Sequence, residues 1–321
     1  MMRPLLPLLG LWLLLWAPVV AQQTPGNRQT PGNTSGRPLS AGARAADDEP
    51  AAQRPFPPLN AQEQQRLRQL LAAWEAQSQG TKTLECRFQR WSYAPGAAPA
   101  NVPKDTSTGV IKYAAPDKGL FKVEEKVFFA GMNDEGKPTY APQPGQYGEW
   151  WVCNGEELME FNRGREECRI QTLPPEMRGQ QIFNSPLPFV FNLDAAQIQQ
   201  RYWVRQVASP KPGVLLIEAW PKMQEDRAQY RLVQVALDES SLLPTALVMY
   251  APNFDVSKNP EWDHYEFTDC VRNGTGQRLQ NFLKHFIGMR PPASWKVLRN
   301  HYVPPPSERR TAEAPEGPTR R

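Results

Sequence analysis

Three short runs of alternating apolar and polar residues lie within positions 149–173. Asn154-Gly155 and the segment 162–165 separate the runs, and they supply residues that tolerate the positive φ of a tight turn. The apolar positions are Trp150, Trp151, Val152, Met159, Phe161, Cys168 and Ile170. Consecutive strands joined by tight turns form an antiparallel meander. This one has an apolar face that needs a cover.

A helix is predicted to begin at Asn60. Asn60 can cap the helix, and Glu63 three residues later completes a capping-box pattern. Four apolar residues then repeat at helical spacing, namely Leu67, Leu70, Leu71 and Trp74. Such a stripe is typical of a helix that packs on a sheet, and Gly80 ends it.

Alternation elsewhere predicts further strands over 84–93, 108–113, 120–129, 202–204, 214–220, 230–237, 244–250 and 264–271. A short helical interlude is predicted over 186–191 and 194–200, with Asp194 as a cap, and a late helix over 277–286. The polar segment 130–148 looks like an insertion or a mobile loop. The predicted fold is therefore α+β and mainly antiparallel β. A curled open half-barrel sheet is covered by the N-terminal helix and the helical interlude.

The two ends of the chain do not look like folded domain. Residues 1–21 combine an early arginine, an apolar run and small residues at a cleavage position, which indicates a secretory signal peptide. An uncleaved anchor helix is the alternative, although the apolar run is short for a membrane span. Residues 22–58 form a predicted disordered Pro/Gly-rich linker and 303–321 a disordered tail. The domain is predicted over 59–302.

Charge and cysteine content narrow the function classes. The net charge of +4 over 321 residues gives nucleic-acid binding little support. Cys153 and Cys168 would lie on the outer strands of the meander, about 10 Å apart, which disfavours a disulfide between them. A pair between Cys86 and Cys270 stays open. The cysteine spacings do not match a zinc site.

No pattern of catalytic residues stands out. The three histidines, His264, His285 and His301, form no metal-binding spacing, and neither a nucleophile elbow nor a phosphate-binding loop occurs. We therefore predict a protein without catalytic residues, cofactor or metal. An enzyme whose catalytic residues meet only in the fold is the alternative.

The notable chemical feature is an excess of apolar residues on the predicted strands. Ordinary core packing is one interpretation. The other is a half-closed sheet whose concave face leaves an apolar cavity for a ligand. Methionines suit a cavity that accepts varied acyl chains, because the thioether adapts its shape. The cavity candidates are Phe88, Phe121, Trp151, Met159, Phe161, Val248 and Met249.

Three segments resemble the LolA-like superfamily of periplasmic outer-membrane lipoprotein carriers. They are the hairpin 109–116 with Leu120-Phe121, the hairpin 154–162, and 185–189 at the start of the central helix. The linker and the Pro-rich insertions resemble a planctomycete-type exported branch. The resemblance implies an exported periplasmic or envelope protein that binds an acyl chain or a lipidated peptide, with no membrane span in the mature chain.

The chain departs from the family at one position. Carriers of this family have an arginine just before the hairpin proline, where this chain has Ala115. A lid latched by that arginine is not expected here. The same fold also occurs in envelope sensors that bind protein partners, so a protein-interaction domain without lipid cargo is the alternative function.

Overall fold

The computed structural model describes residues 53–173, 194–286 and 288–300. These residues belong to one compact unit. Several of the sequence-based predictions fall outside the described residues. They are the signal peptide, nearly all of the linker, the 185–189 motif, the helix at 186–191, His301 and the 303–321 tail. Within the described part of the chain, no helix has the length and the apolar character that a membrane crossing needs.

The described residues form one large open sheet and four short or medium helices. The helices are α1 (Ala61–Gln79), α2 (Ala195–Arg201), α3 (Gln224–Arg227) and α4 (Gly276–Leu283). The strands are β1 (Thr83–Tyr93), β2 (Asp105–Ala114), β3 (Lys118–Met132), β4 (Pro138–Ala141), β5 (Trp150–Cys153), β6 (Glu157–Asn162), β7 (Glu167–Thr172), β8 (Tyr202–Val207), β9 (Val214–Pro221), β10 (Leu232–Asp238), β11 (Pro244–Tyr250), β12 (Trp262–Arg272) and β13 (Lys296–Asn300).

The sheet has the strand order β13-β7-β6-β5-β3-β2-β1-β12-β11-β10-β9-β8, and β4 pairs with β3 beside this path. The pairs are antiparallel except β13 with β7, which run parallel. The sheet does not close into a barrel, so the predicted curled open sheet is confirmed. The parallel strand β13 and the short helix α3 were not predicted, and β4 lies inside the segment predicted to be a loop.

Local sequence signals place α1 as predicted. The Asn60 side chain accepts a hydrogen bond from the Glu63 N–H at 2.9 Å, and the Glu63 carboxylate accepts one from the Asn60 N–H at 2.8 Å. This reciprocal pair satisfies two backbone donors that the first turn leaves unpaired. Asp194 likewise caps α2 by accepting from the Gln197 N–H.

The sheet carries a separate apolar core on each of its two faces. We call the side that packs on α1 the α1 face. Its core contains Leu71 and Trp74 of α1 together with strand residues from Leu84 and Cys86 in β1 to Val235 in β10. We call the other side the α4 face. There a second core joins the meander to Phe282 and Phe286, from α4 and the turn that follows it.

This second core corrects one expectation. The apolar side of the meander was expected to be covered by the N-terminal helix and the helical interlude. Side chains alternate between the two faces of a strand. The register that pairs Val152 with Met159, and Met159 with Ile170, therefore puts these residues on one side, away from α1. The C-terminal segment around α4 covers them instead.

Two of the four cysteines form a disulfide and two are free, and the two on the meander do not pair with each other, as predicted. Cys153 and Cys168 are free and buried, and they lie on β5 and β7 with β6 between them. Cys86 and Cys270 form a disulfide that joins β1 to β12 across 184 positions of sequence. The pairing that the sequence left open is thus the one that forms.

Candidate functional site

The seven cavity candidates divide between the two faces of the sheet. Phe88 and Phe121 belong to the core under α1, and Trp151 and Met249 are half-buried against it. Met159 and Phe161 belong to the core under α4. Val248 is buried beside Leu247 on the same strand; because Leu247 packs in the α1 core, Val248 points to the α4 face. One cavity cannot contain all seven.

Three of the candidates form a continuous row of rings on the α1 face. The Phe88 and Phe121 rings lie 4.9 Å apart between centroids and the Phe121 and Trp151 rings 6.0 Å apart, both with an interplanar angle of 15°. We call Phe88, Phe121 and Trp151 the aromatic floor. Phe88 and Phe121 are 2 % and 5 % exposed, whereas Trp151 at the far end is half-buried. The floor therefore reaches solvent at Trp151.

A glycine allows the floor to form. Phe88 is paired with Gly109 of the neighbouring strand, and a Cβ at Gly109 would lie 2.6 Å from Cζ of Phe88. The same Cβ would lie 2.2 Å from the carbonyl oxygen of Lys122 on β3. Because position 109 carries no side chain, the Phe88 ring can extend over β2 towards Phe121.

Replacing this glycine is expected to destabilise the fold. Gly109→Ala forces the Phe88 ring and the β3 backbone apart, and overpacking of this kind costs about 1–3 kcal/mol. The free energy of unfolding, measured in urea, should fall by that amount. Gly80→Ala is the matched control, since a Cβ there meets only ordinary contacts at 3.6 Å. Equal effects of the two substitutions would contradict the packing described here.

A charged cluster built around a buried arginine borders the floor. Arg90 follows Phe88 by two positions and points to the same face; its side chain is 5 % exposed. Both terminal nitrogens donate to the carboxylate of Glu149, each at 2.9 Å. Nη1 also donates to the hydroxyl of Tyr265 at 3.1 Å, and Nη2 to the hydroxyl of Ser107 at 3.3 Å. We call Arg90, Glu149, Tyr265 and Ser107 the Arg90 cluster.

The cluster keeps both of its charges at neutral pH. Burial works against ionisation of the Glu149 carboxyl, but the hydrogen bonds and the charge of Arg90 outweigh it and hold the pKa of Glu149 below its ordinary value. Burial also disfavours the charge on Arg90, and Tyr265 and Glu149 together raise the pKa of Arg90 above its ordinary value. The pair is therefore an arginine–carboxylate ion pair.

Backbone contacts hold the loop that carries Glu149. The guanidinium of Arg163, from the turn between β6 and β7, donates to the carbonyl oxygens of Val123 at 2.8 Å and Gly148 at 3.1 Å. The carbonyl of Glu149 accepts from the Val123 N–H at 2.8 Å. The Glu149 backbone is thereby fixed, while its side chain remains 52 % exposed.

A small cavity lies away from the floor. It has a volume of about 10 Å³ and is lined by Thr83, Glu85, Val271, Gly274, Leu279 and Phe282. That volume suffices for about one water molecule. This cavity is too small for an acyl chain.

Sequence reasoning missed the Arg90 cluster, although one signal was present. In β1 the inward positions Leu84, Cys86 and Phe88 continue in phase to Arg90 and Ser92, which are both buried. A charged residue in the apolar phase of a strand indicates a buried ion pair or a site. Its partner Glu149 lies 59 positions away in a loop, where no periodicity points to it.

The chain resembles known proteins in structure rather than in sequence. No family model matches it, and no curated protein matches it. Solved structures do match. An uncharacterized conserved protein from Thermus thermophilus is 8 % identical, with a TM-score of 0.39, and the match covers 73 % of this chain and 99 % of that one.

Two further matches carry descriptive names. A LolA superfamily protein from Nitrosomonas europaea is 12 % identical, with a TM-score of 0.30, over 65 % of this chain and 96 % of that one. The MucA/MucB complex of Pseudomonas aeruginosa gives 12 % identity and a TM-score of 0.32, over 65 % of this chain and 59 % of that one. At such scores no ligand or partner is transferred to this chain. The structural neighbours include a LolA superfamily protein and MucB, both at low identity and low TM-score.

Proposed function

We propose that the chain is a non-enzymatic exported binding protein of the cell envelope, which holds an acyl chain, free or on a lipidated peptide, against the aromatic floor. The observation that carries this proposal is the continuity of the floor from the buried ring of Phe88 to the half-buried ring of Trp151. An acyl chain would make its first contact at Trp151. Burial of its apolar surface would favour binding by roughly 25 cal/mol per Å².

The proposal narrows the set of ligand-contacting residues. Phe88, Phe121, Trp151 and Met249 stay in the site because they share the α1 face. Met159, Phe161 and Val248 are left out, since they point to the other side of the sheet. Export agrees with the Cys86–Cys270 disulfide, because disulfides persist in oxidising compartments outside the cytosol.

A charge at the open end of the floor should weaken ligand uptake. For Trp151→Asp we expect the dissociation constant of a fluorescent fatty acid to rise about tenfold or more, since the tail loses an aromatic contact and meets a carboxylate. Fluorescence titration measures this change. Native mass spectrometry of protein purified from its own envelope should show bound lipid.

Trp203→Asp is the matched control. Trp203 is also half-buried, but it lies on the α4 face, because its neighbour Val204 packs in the α1 core. Fatty-acid affinity should be unchanged in this variant. A lipid-free mass together with no uptake of the probe by the wild type would contradict the proposal. Equal affinities of the wild type and Trp151→Asp for the fluorescent fatty acid would contradict it as well.

One observation favours a protein-interaction function as the second candidate. The last residues of β3, from Phe128 onward, pair with the short β4 in a hairpin with little burial, in which Met132 is 47 % exposed and Phe128, Phe129 and Tyr140 are half-buried. Apolar side chains on such a hairpin suit contact with a partner protein. This function would leave the aromatic floor without lipid in the native mass spectrum.

A further inference from the structure

The geometry of Arg90 is that of a carboxylate receptor. Its two terminal nitrogens each donate to a different oxygen of Glu149 at 2.9 Å, the bidentate arrangement that guanidinium groups form with carboxylates. The two partners differ in burial: the Arg90 side chain is 5 % exposed and that of Glu149 is 52 % exposed. The cation is therefore fixed in the sheet, while the anion lies at the solvent boundary and can be exchanged.

Arg90 also has an unused donor. Its Nε is buried and has no hydrogen-bond partner among the described residues. A buried N–H without a partner is costly, and a structure keeps one where something else compensates for the cost. A carboxylate bound in place of Glu149 can shift along the guanidinium edge and accept from Nε as well as from a terminal nitrogen.

The receptor lies directly beside the floor. The guanidinium carbon of Arg90 is 5.7 Å from the centroid of the Tyr265 ring, and that ring is 5.7 Å from the ring of Phe88. Phe88 begins the aromatic floor. A ligand with a carboxylate at one end and a hydrocarbon tail would thus find a cation and a row of rings in sequence on one face of the sheet.

We infer that Arg90 binds the carboxylate of a long-chain fatty acid, which takes the place of the Glu149 carboxylate, while the tail lies on the aromatic floor. This inference rests on the proposed function and names its ligand as an acyl chain with a free carboxylate.

The test compares a fluorescent fatty acid with its methyl ester on the full chain. The two probes share a tail, and a site that recognises only the tail favours the more apolar ester. We expect the wild type to bind the acid at least tenfold more tightly than the ester. In Arg90→Gln this preference should disappear, with ester affinity retained. Arg87→Gln on the same strand is the control, since Arg87 is exposed on the other face.

A second variant keeps the test decisive if Arg90→Gln does not fold. Glu149→Gln removes the charge that competes with the ligand, so the acid should bind several-fold more tightly than to the wild type, with ester affinity unchanged. Equal affinity of the wild type for acid and ester would overturn the inference and leave the proposed function standing. Weaker or unchanged acid binding by Glu149→Gln would also overturn it. If neither probe binds the wild type, both proposals fail.

Discussion

Arg201→Ala is expected to lower the free energy of unfolding by about 3–5 kcal/mol, because it leaves a buried carboxylate without its cation. That carboxylate belongs to Asp226, which is 0 % exposed. Arg201 holds it with two hydrogen bonds, one from Nε at 3.1 Å and one from Nη2. The contact joins the end of α2 to α3. Urea unfolding followed by circular dichroism measures the loss.

The structure supplies a control and a rescue for this prediction. Arg87→Ala breaks an exposed ion pair with Glu124 and should cost less than about 1 kcal/mol. Replacing both partners, as in Arg201→Met with Asp226→Leu, removes the unpaired charge and should recover much of the lost stability. A single Arg201→Ala variant as stable as Arg87→Ala would show that Asp226 is not paired as described.

The sequence predicted the elements whose signals are local. Asn60 and Glu63 are three residues apart and specify the start of α1 without help from the rest of the chain. Asn154-Gly155 fixes the first turn of the meander, and alternation then fixes which side chains share a face. These signals depend on backbone geometry within a few residues, which a sequence shows directly.

The cover of each face could not be predicted in the same way. Alternation shows that Met159 and Ile170 share a face, but not whether α1 or the segment after residue 276 covers it. Both segments carry an apolar stripe of suitable spacing. The choice depends on contacts between distant parts of the chain, such as those that join Phe282 and Phe286 to the meander. The predicted cavity combined residues from two faces, although alternation alone assigns the consecutive residues Val248 and Met249 of β11 to opposite faces.

The site was predicted in its apolar part and missed in its polar part. Phe88, Phe121 and Trp151 were selected for apolar character, and they do stack in one row. Arg90 was not selected, although the alternation of Leu84, Cys86 and Phe88 places it on the inward side of β1. In the structure the alternation of β1 continues unbroken through Arg90, so Arg90 points inward. Trp91 points to the opposite face, where it packs on His264.

The Cys86–Cys270 disulfide should contribute about 2–5 kcal/mol to stability, since it closes a loop of 184 positions in the unfolded chain. Cys86→Ala with Cys270→Ala should therefore unfold at a lower urea concentration, and a reducing agent should shift the wild type to the same midpoint. The double variant itself should not respond to the reducing agent. Cys168→Ala, which removes a free thiol, should stay sensitive to it. A wild type whose midpoint ignores reduction would show that β1 and β12 are held together by strand pairing and core packing alone.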